Sequence, residues 1–419
     1  MPEHELIADR PAVNRYGWYA LAVLTAVYVL NFLDRTLIYI LFTPIKKEMA
    51  FSDLQLALLG TTSFVIFYTL LGIPFGRLAD RISRTKIIAI GLAVWSLFSG
   101  LTGFAHSFWT IFFCRVMVGV GEATLGPAAL SLLSDYFPVR MRATVQSIYS
   151  SAIALGGGLA FFLGGWIGQA YGWRWAFYLL GFPGLALALL VYLLREPERG
   201  RTESTAALQT SNDWRALLRS APLRYLILGY AFVGLASNNI SVWVGTFFVR
   251  VHGLDLAFVG RAAGVIGVIV GIPAMILAGR FSDRISGGRS IFTASAAALS
   301  VPLWIALLFT NNLLTLLAIN IVLYALAILW VGPAVADVHD LAGPHLRGLA
   351  IGIFFSAVNI AAFAIGSPLI GKLTDRLHDM RYSLLVCPVA CAIGATLLWM
   401  GSRSGARLRR ASPATATSP

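Results

Sequence analysis

Twelve separate runs of about 20 or more mostly apolar residues divide this chain, and this feature limits its fold more than any other. They lie near 17–43, 54–76, 87–105, 108–135, 143–168, 173–195, 222–249, 256–280, 291–310, 313–336, 345–371 and 382–402. A helix rises about 1.5 Å per residue and a bilayer core is about 30 Å thick, so each run can cross once as an α-helix. Inside lipid every backbone N–H and C=O needs a backbone partner, so only helices or closed barrels cross. The runs are continuous rather than alternating at period two, which argues against a barrel. The expected class is an all-α membrane protein with twelve transmembrane helices. Composition agrees: 58% of residues are hydrophobic and 12% charged, against about 25% charged in soluble domains. Disorder is excluded on the same ground. The first run follows a charged stretch at 3–15 and is too long for the core of a cleaved signal peptide.

The net charge is +13, from 32 Lys+Arg against 19 Asp+Glu. A basic excess can mean nucleic acid, but its placement here follows the membrane. If both termini and every second loop share one side, that side holds 22 of the basic residues. The other side holds Lys46, Lys47, Arg174, Arg250, Arg261, Lys372, Arg376 and Arg381, and two more lie within runs. The positive-inside rule then places both termini in the cytoplasm of a cell (cytoplasmic or inner) membrane. No nucleic-acid partner is expected.

Chemistry that would need a metal or nucleotide finds no support. Cys114, Cys387 and Cys391 all fall inside runs and read as small buried hydrophobes. The six histidines lie in loops or near run ends, so a buried histidine switch is not expected. Gly366-Ser-Pro-Leu-Ile-Gly371-Lys372 nearly matches a phosphate-binding loop, but Leu373 replaces the needed Ser or Thr and no strand precedes it. Gly119-Val-Gly121 lacks the third glycine of a dinucleotide fingerprint. Gly156–Gly158 and Gly164-Gly165 read as close helix packing. The chain is expected to be no enzyme and to carry no cofactor.

The chain also repeats itself at an offset near 200 residues. Gly72-Ile-Pro74 returns as Gly271-Ile-Pro273, and Gly76-Arg-Leu-Ala-Asp80-Arg81-Ile-Ser as Gly279-Arg-Phe-Ser-Asp283-Arg284-Ile-Ser. Asp135-Tyr-Phe-Pro-Val-Arg-Met-Arg142 pairs with Asp340-Leu-Ala-Gly-Pro-His-Leu-Arg347. The reading is a six-helix half at 1–195, a polar cytoplasmic linker at 196–221, a second half at 222–402 and a flexible tail at 403–419. Parallel duplicated halves, related by a pseudo-two-fold axis, place a substrate cavity between them near the bilayer midplane.

On these repeats, and on Gly76-Arg-Leu-Ala-Asp80-Arg81-Ile-Ser-Arg84-Thr-Lys86 in particular, the chain resembles the major facilitator superfamily over nearly its whole length. The resemblance implies a cytoplasmic latch formed by Gly76, Asp80, Arg81, Arg84, Asp283 and Arg284. In it an aspartate would meet a helix N-terminus of the other half, where negative charge is favoured.

Four charged residues lie deep in the runs: Asp34, Arg35, Arg115 and Glu122. A central charge costs roughly 2.5–3.5 kcal/mol on insertion scales, so such residues pair or face a cavity and are usually functional. Asp34 and Arg35 are neighbours about 100° apart on a helix and do not pair tightly. Arg115 and Glu122 share a face about 10.5 Å apart along the axis, with room for a ligand or a third residue between them. Arg115 could meet Asp34 in one state and Glu122 or an anionic substrate in another. The functional reading is proton coupling; the alternative is a permanent cluster that only fixes packing.

Asn31-Phe-Leu-Asp34-Arg35, and the stretch from Arg115 through Gly119-Val-Gly121-Glu122 to Asp135-Tyr-Phe-Pro, are similar to the spinster family. Gly172-Trp-Arg-Trp-Ala-Phe adds to that likeness. Members of that family export sphingosine phosphate or move lysophospholipids. The resemblance implies proton or substrate roles for Asp34, Arg35, Arg115 and Glu122. Organic-anion symporters share a similar pattern. Tyr28, Phe32, Tyr39, Gln146, Tyr149, Asn238, Asn239, Trp243, Phe355 and Asn359 are candidates to line the cavity. Together with Arg115 they suit an amphiphile with a polar or anionic head. The expected protein is a monomeric, proton-coupled transporter of an amphipathic small molecule or lysolipid, acting by alternating access. The rivals are a proton-linked symporter of sugar acids and a non-transporting receptor on the same scaffold.

Overall fold

The structure, a computed structural model, describes residues 15–79, 81–138, 141–198, 220–282, 284–285, 288–342 and 346–411. Among them are twelve helices long and apolar enough to cross a membrane. In chain order spans 1 to 6 are Arg15–Ile40, Asp53–Gly72, Arg84–Thr102, Phe108–Tyr136, Thr144–Ala170 and Trp173–Tyr192. Spans 7 to 12 are Ala221–His252, Leu256–Ser282, Arg289–Phe309, Leu313–Ala342, Leu349–Leu377 and Met380–Arg403. Large apolar side chains face outward, among them Trp109, Leu193, Ile269 and Leu314, as a lipid-facing surface requires.

Helix ends depart from the apolar runs where polar groups are satisfied within the protein. Span 10 continues to Ala342 rather than stopping near 336. It carries Asp337, bonded by the Tyr230 hydroxyl at 2.8 Å, and Asp340, paired with Arg289 at 2.7 Å. Span 11 likewise reaches Leu377. Residues 404–411, expected within a flexible tail, continue the last helix, which ends at Ala411. Most of the expected linker, at 199–219, lies outside the described residues, as do the ends at 1–14 and 412–419.

Successive spans alternate in direction, so the start of span 1 and the end of span 12 share one face, called here the terminal end. The opposite face is the far end. One apolar core lies within the first half, around Leu24, Trp95, Leu132 and Phe137. Another lies within the second half, around Tyr230, Trp330, Phe354 and Leu398. The third joins the halves, with Ile40, Phe42 and Phe51 packed beside Trp243, Phe247 and Ile370. These residues sit toward the far end, so the halves are held together there.

Glycine sets the closest approach between halves. A Cβ at Gly264 of span 8 would lie 2.6 Å from the Gly158 carbonyl oxygen of span 5, and one at Gly165 would lie 2.9 Å from the Gly260 Cα. No side chain fits there, so the two backbones pack directly. Spans 2 and 11 meet in the same region. The π-helical stretch Ile360–Gly366 turns its carbonyls outward. Phe363 accepts from Thr61 at 2.8 Å and from Thr62 at 3.2 Å, while Ala362 accepts from Asn239 at 3.2 Å.

Candidate substrate and coupling site

Span 1 crosses the first half beside spans 3 and 4, and its consecutive Asp34 and Arg35 point to different neighbours. The Ser99 hydroxyl of span 3 donates to Asp34 Oδ1 at 2.7 Å. Arg35 turns toward span 4, where its Nη2 pairs with Glu122 Oε2 at 3.1 Å and its Nε donates to the same oxygen at 3.3 Å. Its guanidinium also lies over the rings of Phe64 at 4.4 Å, Tyr68 at 4.7 Å and Phe32 at 5.1 Å. Arg115 meets neither carboxylate directly. It donates to the backbone carbonyls of Asp34 at 3.1 Å and Arg35 at 3.3 Å. Three atoms in the cluster are buried without a hydrogen-bond partner: Asp34 Oδ2, Glu122 Oε1 and Arg115 Nε.

The spacing argument is therefore refined by the fold. The residue that engages Glu122 from across the helix gap is Arg35, reaching in from span 1. Arg115 is 0% exposed, like Asp34, whereas the Arg35 side chain is 18% exposed. Arg35 reaches the cavity wall; Arg115 braces the span 1 backbone behind it. Arg115, expected beside an anionic head, does not line the cavity in this state, whereas Arg35 does.

The cavity holds about 950 Å³ between the halves. Spans 1 and 5 form one wall, and spans 7, 8, 10 and 11 the other. Its lining follows span 5 from Phe161 to Gln146 and span 8 from Val259 to Ile276. It thus begins beside the glycine contact and runs toward the terminal end. Among the described residues Arg35 is the one charged residue of the wall; most of the rest is aliphatic or aromatic.

Phe32, Tyr39, Gln146, Asn238 and Asn359 line this space. The other five candidates do not. Tyr28 stacks on Tyr149 with ring centroids 4.4 Å apart, and the two fill the first-half core. Asn239 is fully buried and donates to the carbonyls of Leu235 and Ala362. Trp243 is buried and donates to the Ser367 hydroxyl at 3.0 Å. Phe355 is 40% exposed on the second half and is absent from the wall. Neighbouring residues on one helix face different ways, so Asn238 reaches the cavity and Asn239 does not. The sequence reading missed Asn320 and Tyr324 of span 10, although an asparagine inside so apolar a run was the signal available.

The expected latch is partly outside the described residues, which omit Asp80 and Asp283. Arg81 and Arg284 are exposed at the terminal end. A Cβ on Gly76 would sit an ordinary 3.7 Å from Pro127. Arg84 is not a contact between halves. It is 2% exposed and braces the first half internally, pairing with Asp135 and Glu196 and donating to Ser131 and the Pro197 carbonyl. Its repeat counterpart is the Arg289–Asp340 pair. Burial pushes the Glu196 carboxyl up, but bonds from the Ser83 hydroxyl, the Arg84 amide and the Arg84 guanidinium outweigh it and leave it below the usual glutamate range. A depressed carboxylate loses its stabilising contribution only as pH falls through its folded value. The bridge is therefore expected to survive from about pH 5 to 8, and protease cutting near 196 should be flat over that range. Cutting that climbs between those limits would show that the bridge does not hold.

A carboxylate that meets a helix N-terminus of the other half does occur, but at the far end. Asp375 of span 11 accepts from the backbone N–H groups of Asp53 at 2.7 Å and Leu54 at 2.9 Å, at the start of span 2. Asp53 itself is buried and pairs with Lys46 and with Arg250 of the second half. Gly371 permits the approach, since a Cβ there would lie 2.5 Å from the Asp53 carbonyl oxygen. Gln169 of span 5 makes the corresponding neutral contact, accepting from the Ala257 N–H at the start of span 8 at 2.6 Å.

Two six-span halves, closed together at one end and parted around a central cavity toward the other, define the architecture of a membrane transporter. The chain belongs to the Major Facilitator Superfamily, whose model matches residues 24–365. It is 28% identical to an MFS-type efflux pump of Mycolicibacterium smegmatis over 96% of both chains. It is 25% identical to a probable L-galactonate transporter of Escherichia coli over 94% of this chain and 91% of that one. Protein spinster homolog 3 of Danio rerio is 26% identical over 93% of this chain and 85% of its own. The crystal structure of a bacterial homolog to the human lysosomal transporter Spinster, inward-facing and unoccupied, superposes with a TM-score of 0.84. It is 23% identical and covers 94% of this chain and 99% of that one. Within the superfamily the chain resembles the spinster proteins, and it is a transporter rather than an enzyme.

Proposed function

We propose that this protein is a monomeric, proton-coupled transporter of an anionic amphiphile of the lysolipid or sphingoid-phosphate type. The cavity carries this reading: about 950 Å³ of mostly apolar space with a single cation among the described residues, Arg35, on its wall. Apolar lining with few placed polar groups is how ligand sites bind apolar bodies and orient polar ends. A six-carbon sugar acid would fill a small part of this space and leave most of the aliphatic and aromatic wall uncovered. The sugar-acid reading keeps one support, the similarity to the L-galactonate transporter.

Coupling rests on the cluster behind Arg35. Glu122 is neutralised by Arg35, whereas Asp34 has one hydroxyl partner and one unpartnered oxygen in a fully buried site. An ionised carboxylate is costly in such a place unless paired, so Asp34 is the residue to hold a proton in this state. An anionic head drawn to Arg35 competes with Glu122, and release of Glu122 changes its own hold on a proton. Substrate binding and protonation of Glu122 are then linked through Arg35. The charge bias of the loops supports a cytoplasmic position for the terminal end, in a cell membrane. The cavity would then be accessible from the cytoplasm.

The test is substrate-dependent pH change in proteoliposomes, with lysolipids compared with sugar acids. Wild type should show the signal with lysolipids, while Asp34→Asn and Glu122→Gln should each reduce it at least about tenfold. Transport with full proton coupling in both variants overturns the mechanism. A protein that binds substrate without any flux is a receptor.

A further inference from the structure

Arg35 on the first-half wall has no charged partner across the cavity among the described residues, but the opposite wall is not uniformly apolar. Span 10 presents Asn320, Tyr324, Ala327, Ile328 and Val331 to the space, the spacing of one helix face. Asn320 is only 6% exposed, and its amide oxygen is buried with no hydrogen-bond partner. One turn further, the Tyr324 hydroxyl stands over span 8, where glycine replaces side chains. A Cβ at Gly267 would lie 3.6 Å from that oxygen and one at Gly271 3.7 Å. The two glycines therefore keep the hydroxyl clear on that side. Ser237, Asn238 and Ser241 of span 7 also line the second-half wall.

A buried amide in a largely apolar wall is costly unless it bonds. The main-chain requirements of span 10 do not use the Asn320 side chain, and no neighbouring side chain takes its oxygen. We infer that Asn320, with the Tyr324 hydroxyl beside it, forms a neutral subsite for a substrate hydroxyl, and that the substrate is an anionic amphiphile with at least one free hydroxyl group apart from its charged head. The inference rests on the amphiphile reading above and adds the group that the second half recognises. Arg35 takes the anion, the Asn320 amide, which lines the cavity, hydrogen-bonds the hydroxyl, and the aliphatic wall covers the chain. Recognition from both halves also gives the substrate a means of favouring the state in which both walls reach it, since a ligand shifts a conformational equilibrium only through differential contacts.

The test compares two probes on the full chain in nanodiscs: 1-oleoyl-glycerol-3-phosphate, which has a free secondary hydroxyl, and its 2-deoxy analogue. Wild type should bind the hydroxyl compound about tenfold or more tightly than the deoxy compound. Asn320→Leu should bind both equally, at the affinity of the deoxy compound, and Tyr324→Phe should narrow the gap. Equal binding of the two probes by wild type overturns the subsite without any variant. So does an undiminished preference in Asn320→Leu, while the amphiphile reading then stands. If wild type binds neither lipid, the amphiphile reading falls, and D-gluconate with its 2-deoxy analogue becomes the deciding pair. A preference there that Asn320→Leu abolishes retains the hydroxyl subsite, and any other result removes both.

Discussion

Arg35→Gln is expected to weaken binding of an anionic lysolipid by about 100-fold or more and to stop its transport. Removing one member of a buried, hydrogen-bonded charge pair costs about 2–5 kcal/mol, and each 1.4 kcal/mol is tenfold. Two losses combine here. The cavity wall loses the Arg35 cation, and Glu122 is left buried without its partner. The second loss threatens folding as well as binding, and a double variant separates the two. Arg35→Gln with Glu122→Gln removes both charges and should restore yield and thermal stability toward wild type, because an unpaired buried charge is the main cost. Binding of the lysolipid should stay lost. If the double variant regains affinity, Glu122 and not the substrate is what Arg35 serves. Arg115→Gln makes the contrast. It should reduce stability through the lost bonds to the carbonyls of Asp34 and Arg35, with a much smaller direct effect on headgroup affinity.

Gly264→Val is expected to drive the far end open. The first added carbon would meet the Gly158 carbonyl oxygen at 2.6 Å and Phe162 Cβ at 3.0 Å, and the two helices are joined there by backbone, which cannot step aside. The halves must part, and the state with the far end closed loses several kcal/mol, the scale of severe overpacking. Transport should fall by about 100-fold or more. Reactivity of a single cysteine introduced at Leu54 should rise, since Leu54 is held by Asp375 across the far end. Asp375→Asn should move the same reporter in the same direction by a smaller amount, because it removes charge and keeps hydrogen bonding. Unaltered reactivity in Gly264→Val would mean that the span 5–8 contact does not hold the far end shut. A Gly279→Val control should be silent, since nothing lies within 4 Å of a Cβ at that position.

Much of the architecture was legible because lipid imposes simple rules. A span needs length and apolarity, both local properties of sequence, so all twelve helices could be placed to within a few residues. The errors fall where helix and hydropathy part company. Span 10 continues through Asp337 and Asp340 because Tyr230 and Arg289 wait for them, and those partners are distant in sequence. The four deep charges could be picked out because charge inside lipid is rare. Their pairing could not, since it depends on how span 1 is rotated against spans 3 and 4. Arg115 and Glu122 left room on one helix face for a ligand or a third residue, and Arg35 is the group that reaches Glu122.

Cavity lining was the least legible part. Asn238 faces the space and Asn239, one residue on, is sealed between Leu235 and Ala362. The π-helical stretches at Ile240–Val244 and Ile360–Gly366 shift the register of the residues beyond them, which no simple 3.6-residue count anticipates. Asn320 was passed over although its polarity in an apolar span made it visible. The expected latch turns on Asp80 and Asp283, which lie outside the described residues. A carboxylate facing a helix N-terminus is found where the halves touch, and in this state that is the far end, through Asp375.

By itself the sequence determined that the chain crosses a membrane twelve times in two related halves and keeps four balanced charges in the first. These follow from hydrophobic length, internal repetition and the cost of charge in lipid, all of which are additive along the chain. Only the tertiary structure decided that Arg35 and not Arg115 meets the cavity, that the far end is the closed one, and that a buried asparagine waits on the opposite wall. Those depend on helix rotation and on contacts between residues hundreds of positions apart, which arise only when the two halves pack.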